Sequence, residues 1–162
     1  MAQGYATPVT APVAEVERRT YTLDIDRFLV PLGRALFAWV FLVSGLHHFT
    51  QPAVDAAALQ GVPYPEYLVP LAGLMAFMGG VMLLFGWETR VGASLLVLFL
   101  IPVTLIMHDY WNVDDPVAYP IQQAMFMKNV ALLGAAFFMA YMGGGPISVD
   151  AAMKAARADA LR

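Results

Sequence analysis

Four long apolar runs constrain this chain more than any other feature of its sequence. They cover residues 28–49, 67–87, 91–108 and 121–141. A helix of about 20 residues is about 30 Å long, which matches the hydrocarbon core of a membrane. The helices of a soluble bundle would each need a polar face toward water, and these runs leave little room for one. We therefore predict an all-α integral membrane protein, an antiparallel bundle of four transmembrane helices.

The composition indicates that most of this chain is embedded in lipid, and it excludes several classes of chemistry. Hydrophobic residues make up 60% of the 162 positions and charged residues only 13%, whereas soluble domains carry about 25% charge. The chain has no cysteine, which excludes disulfides, thiolate nucleophiles and cysteine-ligated metals. Its net charge of −3 and the lack of a basic surface argue against nucleic acid as a partner.

The basic residues divide the polar segments into two classes. The connections at residues 50–66 and 109–120 contain no lysine or arginine, while the segments on the other side hold Arg18, Arg19, Arg27, Arg90, Lys154, Arg157 and Arg162. The positive-inside rule then places both termini in the cytoplasm. We expect a multi-pass protein of the bacterial inner membrane, with a flexible cytoplasmic N-terminal tail (1–26), a transmembrane domain (27–145) and a cytoplasmic C-terminal tail (146–162).

Local signals mark the helix ends and the packing faces. Gln51-Pro52 ends the first run, the sequence GGGP at residues 143–146 ends the fourth, and Ser148 is a candidate N-cap for a short helix in the C-terminal tail. Two pairs of small residues four apart predict close helix packing in lipid. They are Ala76 with Gly80, and Ala131 with Ala135.

Few ionisable side chains enter the apolar runs, and each of these is a candidate functional residue. Most are predicted to meet in the outer leaflet, where the first helix ends, the third ends and the fourth begins. Lys128 could stay charged there by pairing with Asp109. The candidates for a ligand or quinone site are His48, His108, Asp109, Trp111, Lys128 and Asn129, together with Arg34 near the cytoplasmic end of the first helix.

The same residues also have purely structural interpretations. Histidines at helix ends often only cap carbonyls or meet water, and Arg34 could extend its charge to the interface. We expect no metal site, because adjacent histidines on a helix point apart, whereas a metal-binding pair is spaced i, i+4. His47, His48 and His108 are the only candidate ligands, and their spacing also argues against haem.

Several segments, taken in order, resemble the DoxX family of small bacterial membrane proteins. They are LGRALFAWVFLVSGLHHF in the first helix, GVPYPEYLVPLAGLMAFMGGVMLLFGWETRVGA across the second and third, HDYW after the third, and FMKNVALLG in the fourth. The resemblance covers about residues 31–150. The positions that match the family are Arg34, Gly79, Gly80, Arg90, His108, Trp111, Lys128 and Asn129. The chain departs from the family at His48, where a lysine is expected, and at Ala76, where a glutamate often precedes the glycine pair.

The resemblance implies a four-helix membrane fold and a link to quinone-coupled redox systems. We expect an accessory or anchor subunit of such a complex, which contributes to a quinone site and is not catalytic alone. Its partners would be other membrane subunits and lipids. The absence of the family's glutamate would deprive Lys128 or Arg34 of a charge partner. Two alternatives stay open: a self-contained quinone-reducing subunit, and a small transporter or channel lined by the same residues.

The orientation is testable by cysteine labelling in intact cells. Cysteines placed at Asp55 and Asp114 should react with a membrane-impermeant maleimide, because both connections are predicted to lie outside. A cysteine at Arg90 should react only after the cells are lysed. Labelling at Arg90 in intact cells would contradict the predicted orientation.

Overall fold

The computed structural model describes residues 13–162, with side chains from Arg27 onward, and the described chain is helical without strands. A single turn of 3-10 helix spans Tyr110–Asn112. The helices are α1 (Val13–His47), α2 (Gln51–Leu59), α3 (Pro65–Phe85), α4 (Thr89–Met107), α5 (Ala118–Met142) and α6 (Val149–Asp159).

Four of these helices are long and apolar enough to cross a membrane. The spanning segments are Arg27–His47, Pro65–Phe85, Thr89–Asn112 and Ala118–Met142. They confirm the prediction of an all-α protein with four transmembrane helices. Large apolar side chains such as Trp39 are exposed along them, as lipid-facing surfaces require.

Two helices differ from what the sequence analysis expected. Helix α1 begins at Val13 rather than Phe28, so the part of the predicted tail that the structure describes is helical, while residues 1–12 lie outside the described residues. Helix α2 lies in the connection at residues 50–66, for which the sequence predicted no helix. Gln51-Pro52 does follow the end of α1, but proline is also favoured in the first turn of a helix, and here Pro52 lies in the first turn of α2. In α6, the Ser148 hydroxyl accepts a hydrogen bond from the Ala151 amide at 3.1 Å, which confirms the predicted cap.

The four spanning helices pack mainly with their neighbours along the chain: α1 against α3, α3 against α4, and α4 against α5. The common core contains Phe41, Ala76, Leu83, Leu96, Leu100 and Ala136. Helix α5 takes the smallest part in it, since only 11% of the residues in its apolar window are buried. Most of α5 therefore faces the surroundings of the protein.

Glycines allow the backbones of α1, α3 and α4 to touch. A Cβ atom added to Gly73 on α3 would lie 2.8 Å from the Gly45 carbonyl oxygen on α1 and 2.5 Å from the His48 Cβ. A Cβ atom on Gly79 would lie 2.9 Å from the Gly92 carbonyl oxygen on α4. Such contacts are the usual basis of helix association in lipid, where apolar side chains gain nothing by leaving the solvent.

The two predicted pairs of small residues have different outcomes. Ala76 and Gly80 are buried, and Gly80 approaches the Ala38 carbonyl oxygen on α1. Ala131 is exposed and its partner Ala135 only half-buried. The prediction of close packing is therefore correct for the pair on α3 and wrong for Ala131, because α5 lies at the edge of the bundle.

The glycine contact between α1 and α3 predicts a large difference between two Gly→Ala variants. Gly73→Ala should destabilise the fold by about 1–3 kcal/mol, the usual effect of overpacking, because its new methyl group meets a backbone oxygen. Gly134→Ala on α5 is the matched control, since nothing lies within 4 Å of its added Cβ. Thermal unfolding in detergent would compare them. Equal midpoints for the two variants would contradict the close contact.

Candidate ligand cavity between the helices

A cavity of about 680 Å³ lies in the half of the bundle that contains the three histidines. Its volume falls within the range of about 300–1,000 Å³ that is usual for small-molecule sites. The walls come from the C-terminal halves of α1 and α4, the N-terminal half of α3, α2, and α5. They are mainly apolar, including Phe41, Val69, Ala72, Met75, Phe99, Val103 and Leu132. Such a cavity suits an apolar molecule with a polar head.

The polar part of the wall consists mostly of candidate residues that were predicted from the sequence. His47, His48, His108, Lys128 and Asn129 all line the cavity. They come from the last residue of α1, from the residues that directly follow α1 and α4, and from α5. The structure therefore brings four of the seven ligand-site candidates together, with His47 beside them. That these residues bind a ligand stays a prediction.

His48 and His108 are each oriented by a hydrogen bond through the ring nitrogen Nδ1. The His48 Nδ1 lies 2.7 Å from the Ser44 carbonyl oxygen, which can only accept, so this nitrogen carries the hydrogen. The His108 Nδ1 lies 2.8 Å from the Gln122 Oε1 and donates in the same way. In each neutral ring, Nε2 then keeps its lone pair. His48 also packs edge-on against Phe99, with ring centroids 5.5 Å apart.

Two polar groups of the cavity wall lack adequate partners in the part of the chain that the structure describes. Asn129 is only 5% exposed, yet its side-chain amide makes no hydrogen bond there. The Lys128 amine donates only to the Met125 thioether sulfur, at 3.4 Å, and sulfur is a weak acceptor. Both side chains therefore keep hydrogen-bond donors that a ligand with oxygen acceptors could use.

The structure does not place Asp109 and Trp111 in the cavity wall. The Asp109 carboxylate accepts a hydrogen bond from the Asn112 amide at 2.9 Å, and no ion pair joins it to Lys128 among the described residues. Trp111 is 53% exposed and packs edge-on against Tyr110 and Phe126. The predicted pairing of Lys128 with Asp109 therefore does not form, because the Asp109 carboxylate binds Asn112 and the Lys128 amine contacts Met125 instead.

The residues that orient His48 and His108 were not predicted from the sequence. Ser44 acts through its backbone carbonyl, so its side chain gave no signal. Gln122 acts from another helix, and only the docking of α5 against α4 brings it to His108. No group of three histidine, cysteine, aspartate or glutamate residues that could hold a metal ion occurs among the described residues.

Arg34 lies at the opposite end of the bundle and has a different role. Its guanidinium donates to the Gly144 carbonyl oxygen and, at 2.9 Å, to the Ile147 carbonyl oxygen, and the side chain is 4% exposed. A Cβ on Gly86, which has a left-handed φ of 66°, would meet this guanidinium at 2.7 Å. Arg34 therefore ties α1 to the segment after α5, and it is remote from the cavity that the other candidates line.

Asp150 supplies the negative charge near Arg34 and also joins two helices. Its carboxylate accepts hydrogen bonds from the Glu88 amide at 2.7 Å, the Thr89 amide at 3.0 Å and the Thr89 hydroxyl at 2.8 Å. It thus caps the N-terminus of α4 from the first turn of α6. Burial alone would raise the pKa of Asp150, but the hydrogen bonds from Thr89 and Glu88 and the charge of Arg34 lower it below its usual value.

Comparisons with known proteins agree with this architecture. A family model described as DoxX matches residues 29–109, half of the chain. The inner membrane protein YqjF of Escherichia coli K12 is 28% identical over 121 residues, covering 75% of this chain and 88% of the relative. The inner membrane protein YphA of the same organism is 27% identical over 124 residues, with the same coverage. No solved structure matches significantly. With its four spans, the chain is a multi-pass inner membrane protein.

The cap of α4 predicts a pH-dependent loss of stability. Asp150→Asn should lower the unfolding free energy by about 1 kcal/mol at neutral pH, the usual value of a helix cap. A carboxyl whose folded pKa is lowered stabilises the fold above its unfolded pKa of about 4, and this contribution disappears as the pH falls through the lower folded value. The difference between wild type and Asp150→Asn should therefore vanish in acid.

Thermal unfolding of detergent-solubilised protein between neutral and acidic pH would measure this difference. Asp159→Asn is the control, since Asp159 is exposed on the same helix and should have no effect of this kind. A difference between wild type and Asp150→Asn that persists unchanged in strong acid would contradict the cap.

Proposed function

This chain belongs to the DoxX family, and we propose that it is an integral membrane subunit of a quinone-linked redox complex whose cavity holds the quinone. The observation that carries this proposal is the cavity of about 680 Å³, apolar over most of its wall and polar where His48, His108, Lys128 and Asn129 meet. A quinone has a matching form, with carbonyl acceptors on a ring and an apolar tail.

The polar wall offers the hydrogen bonds that a quinone ring needs. Lys128 and Asn129 carry donors that the fold leaves almost unused, as their burial and contacts describe. A carbonyl oxygen in the cavity would accept from them. The side chains of Phe99 and Leu132 line the same space and would contact the ring and the tail. The tail could reach the lipid, because the lining residues Leu71 and Leu98 are also exposed.

The chemistry of the cavity residues supports the role of a subunit rather than that of a complete enzyme. Histidine, lysine and asparagine bind and orient a quinone and exchange protons with it, but they do not supply electrons. The electrons would come from a redox group of a partner subunit. The exposed apolar face of α5, with Phe137, Phe138 and Tyr141, is one surface on which such a partner could pack.

The alternative of a transporter or channel has less support. A conducting path would have to continue from the cavity to the other end of the bundle. There Arg34 is nearly fully buried and its guanidinium binds the Gly144 and Ile147 carbonyls. These contacts close the bundle at that end.

Quinone binding can be measured on the purified chain in lipid nanodiscs. A ubiquinone with a decyl tail should bind saturably, and Asn129→Leu should weaken binding about tenfold, the effect of one buried hydrogen bond. Asn112→Leu is the matched control, because Asn112 is exposed and lies outside the cavity wall. Lack of saturable binding to the wild type, or equal affinities of wild type and Asn129→Leu, would contradict the proposal.

The subunit role needs its own measurement. Gentle purification from native membranes should recover a redox enzyme in fixed proportion, identified by mass spectrometry. A chain that purifies alone and reduces quinone at the expense of a soluble reductant would show instead that it is self-contained.

A further inference from the structure

Over the part of the chain that the structure describes, the cavity wall carries one positive charge and no negative one. Lys128 is the only lysine or arginine among these lining residues, and none of them is an aspartate or glutamate. Asp109, the acidic residue next to the lining residue His108, binds Asn112 instead. The charge of Lys128 is therefore not compensated by a carboxylate of the cavity wall.

Lys128 is also poorly placed to reach water at the membrane surface. It is ten residues from Ala118, the first residue of α5, which corresponds to about 15 Å along the helix axis. Its amine carries three hydrogens, and the only acceptor it reaches in the described structure is the Met125 sulfur. The side chain is nevertheless exposed and is one of the residues that line the cavity, so a ligand could contact the amine directly.

An isolated ammonium group attracts an anion strongly in such surroundings. The interaction between opposite charges grows as the effective dielectric constant falls, and the walls of this cavity are mainly apolar. Hydrogen bonds that involve an ionised donor and an ionised acceptor are shorter and stronger than neutral ones. A ligand oxygen that carries negative charge would thus gain more from Lys128 than a neutral carbonyl would.

We propose that the cavity selects ligands with an anionic oxygen in the head group and an apolar tail. This inference rests on the proposed function and deepens it: among quinone-type molecules, ionised forms such as a quinol monoanion bind more tightly than the neutral quinone. The ionised oxygen contacts Lys128 and the Asn129 amide donates to the same head group. The second oxygen of a quinol monoanion is a hydroxyl, which can donate to the Nε2 of His48 or His108, since Nδ1 of each ring is already occupied.

Two probes that differ by a single charge test this selection. An alkylated hydroxynaphthoquinone is ionised at neutral pH, while its methyl ether has the same ring and tail and is neutral. Binding should be measured calorimetrically in nanodiscs of zwitterionic lipid, which carry no surface charge of their own. The wild type should bind the ionised probe at least about tenfold more tightly than the ether, the effect of one charge-assisted hydrogen bond.

Three variants assign the preference to Lys128. Lys128→Met should abolish the preference, because it removes the charge and retains an apolar side chain, so the ionised probe should lose more affinity than the ether, which loses only a hydrogen bond to a neutral oxygen. Lys128→Arg should keep the preference. Lys154→Met is the matched control, since it removes the same charge from α6, away from the cavity, and should also keep the preference.

The outcomes separate this inference from the proposed function. Equal binding of both probes to the wild type would overturn the anionic selection and leave the quinone site intact. A preference that persists in Lys128→Met would also overturn it. If neither naphthoquinone binds but palmitate does, and Lys128→Met loses palmitate binding, the anionic selection holds and the quinone proposal fails.

Discussion

Direct contact between helix backbones holds this protein together, and the remaining architecture depends on it. In lipid, leucine and phenylalanine side chains gain little from packing against each other, so helices associate where small residues let their backbones meet. The Gly45–Gly73 contact joins α1 to α3, and the Gly79–Gly92 contact joins α3 to α4. Helix α5 has no comparable contact at Gly134. Helix α5 packs against α4 without such a glycine contact and lies at the edge of the bundle.

The two ends of the bundle differ because their polar groups are satisfied differently. At one end, Arg34 joins α1 to the connection between α5 and α6. Asp150, in turn, joins α6 to the connection between α3 and α4. At the other end, residues of α1, α3 and α4 surround a cavity that α2 and α5 help to line. The closed end stabilises the fold, and the open end leaves space for a ligand.

The contrast between Arg34 and Lys128 shows why intramembrane charge alone does not identify a binding residue. Both lie within spanning segments. Arg34 has two carbonyl acceptors and a nearby carboxylate, so the fold itself uses both terminal nitrogens of the guanidinium, while Nε has no partner among the described residues. Lys128 has a single thioether contact. Burying or enclosing a polar group is costly unless it is bonded, so the group that the fold leaves unbonded is the stronger candidate for a ligand contact.

The sequence by itself determined the solvent, the four spans and the helix caps, because these depend on hydropathy and on contacts within a few residues. Length and apolar composition are enough to define a transmembrane helix, and Ser148 acts on an amide three residues away. The sequence also indicated that His48, His108, Lys128 and Asn129 lie at a similar depth, since depth follows from position along each helix. Helix α2 was missed because a proline suits both the end of one helix and the first turn of the next.

Only the tertiary structure decided which polar groups meet. The direction of a side chain around its helix axis depends on how the helices dock, and no local pattern specifies this for α5, which is apolar on nearly all sides. Docking brings Gln122 to His108 and places Asp150 close to the charge of Arg34. Among the described residues, it leaves Asp109 outside the cavity wall and Lys128 without a carboxylate partner. Such pairings are made between distant segments, and their physical cause is the packing of whole helices.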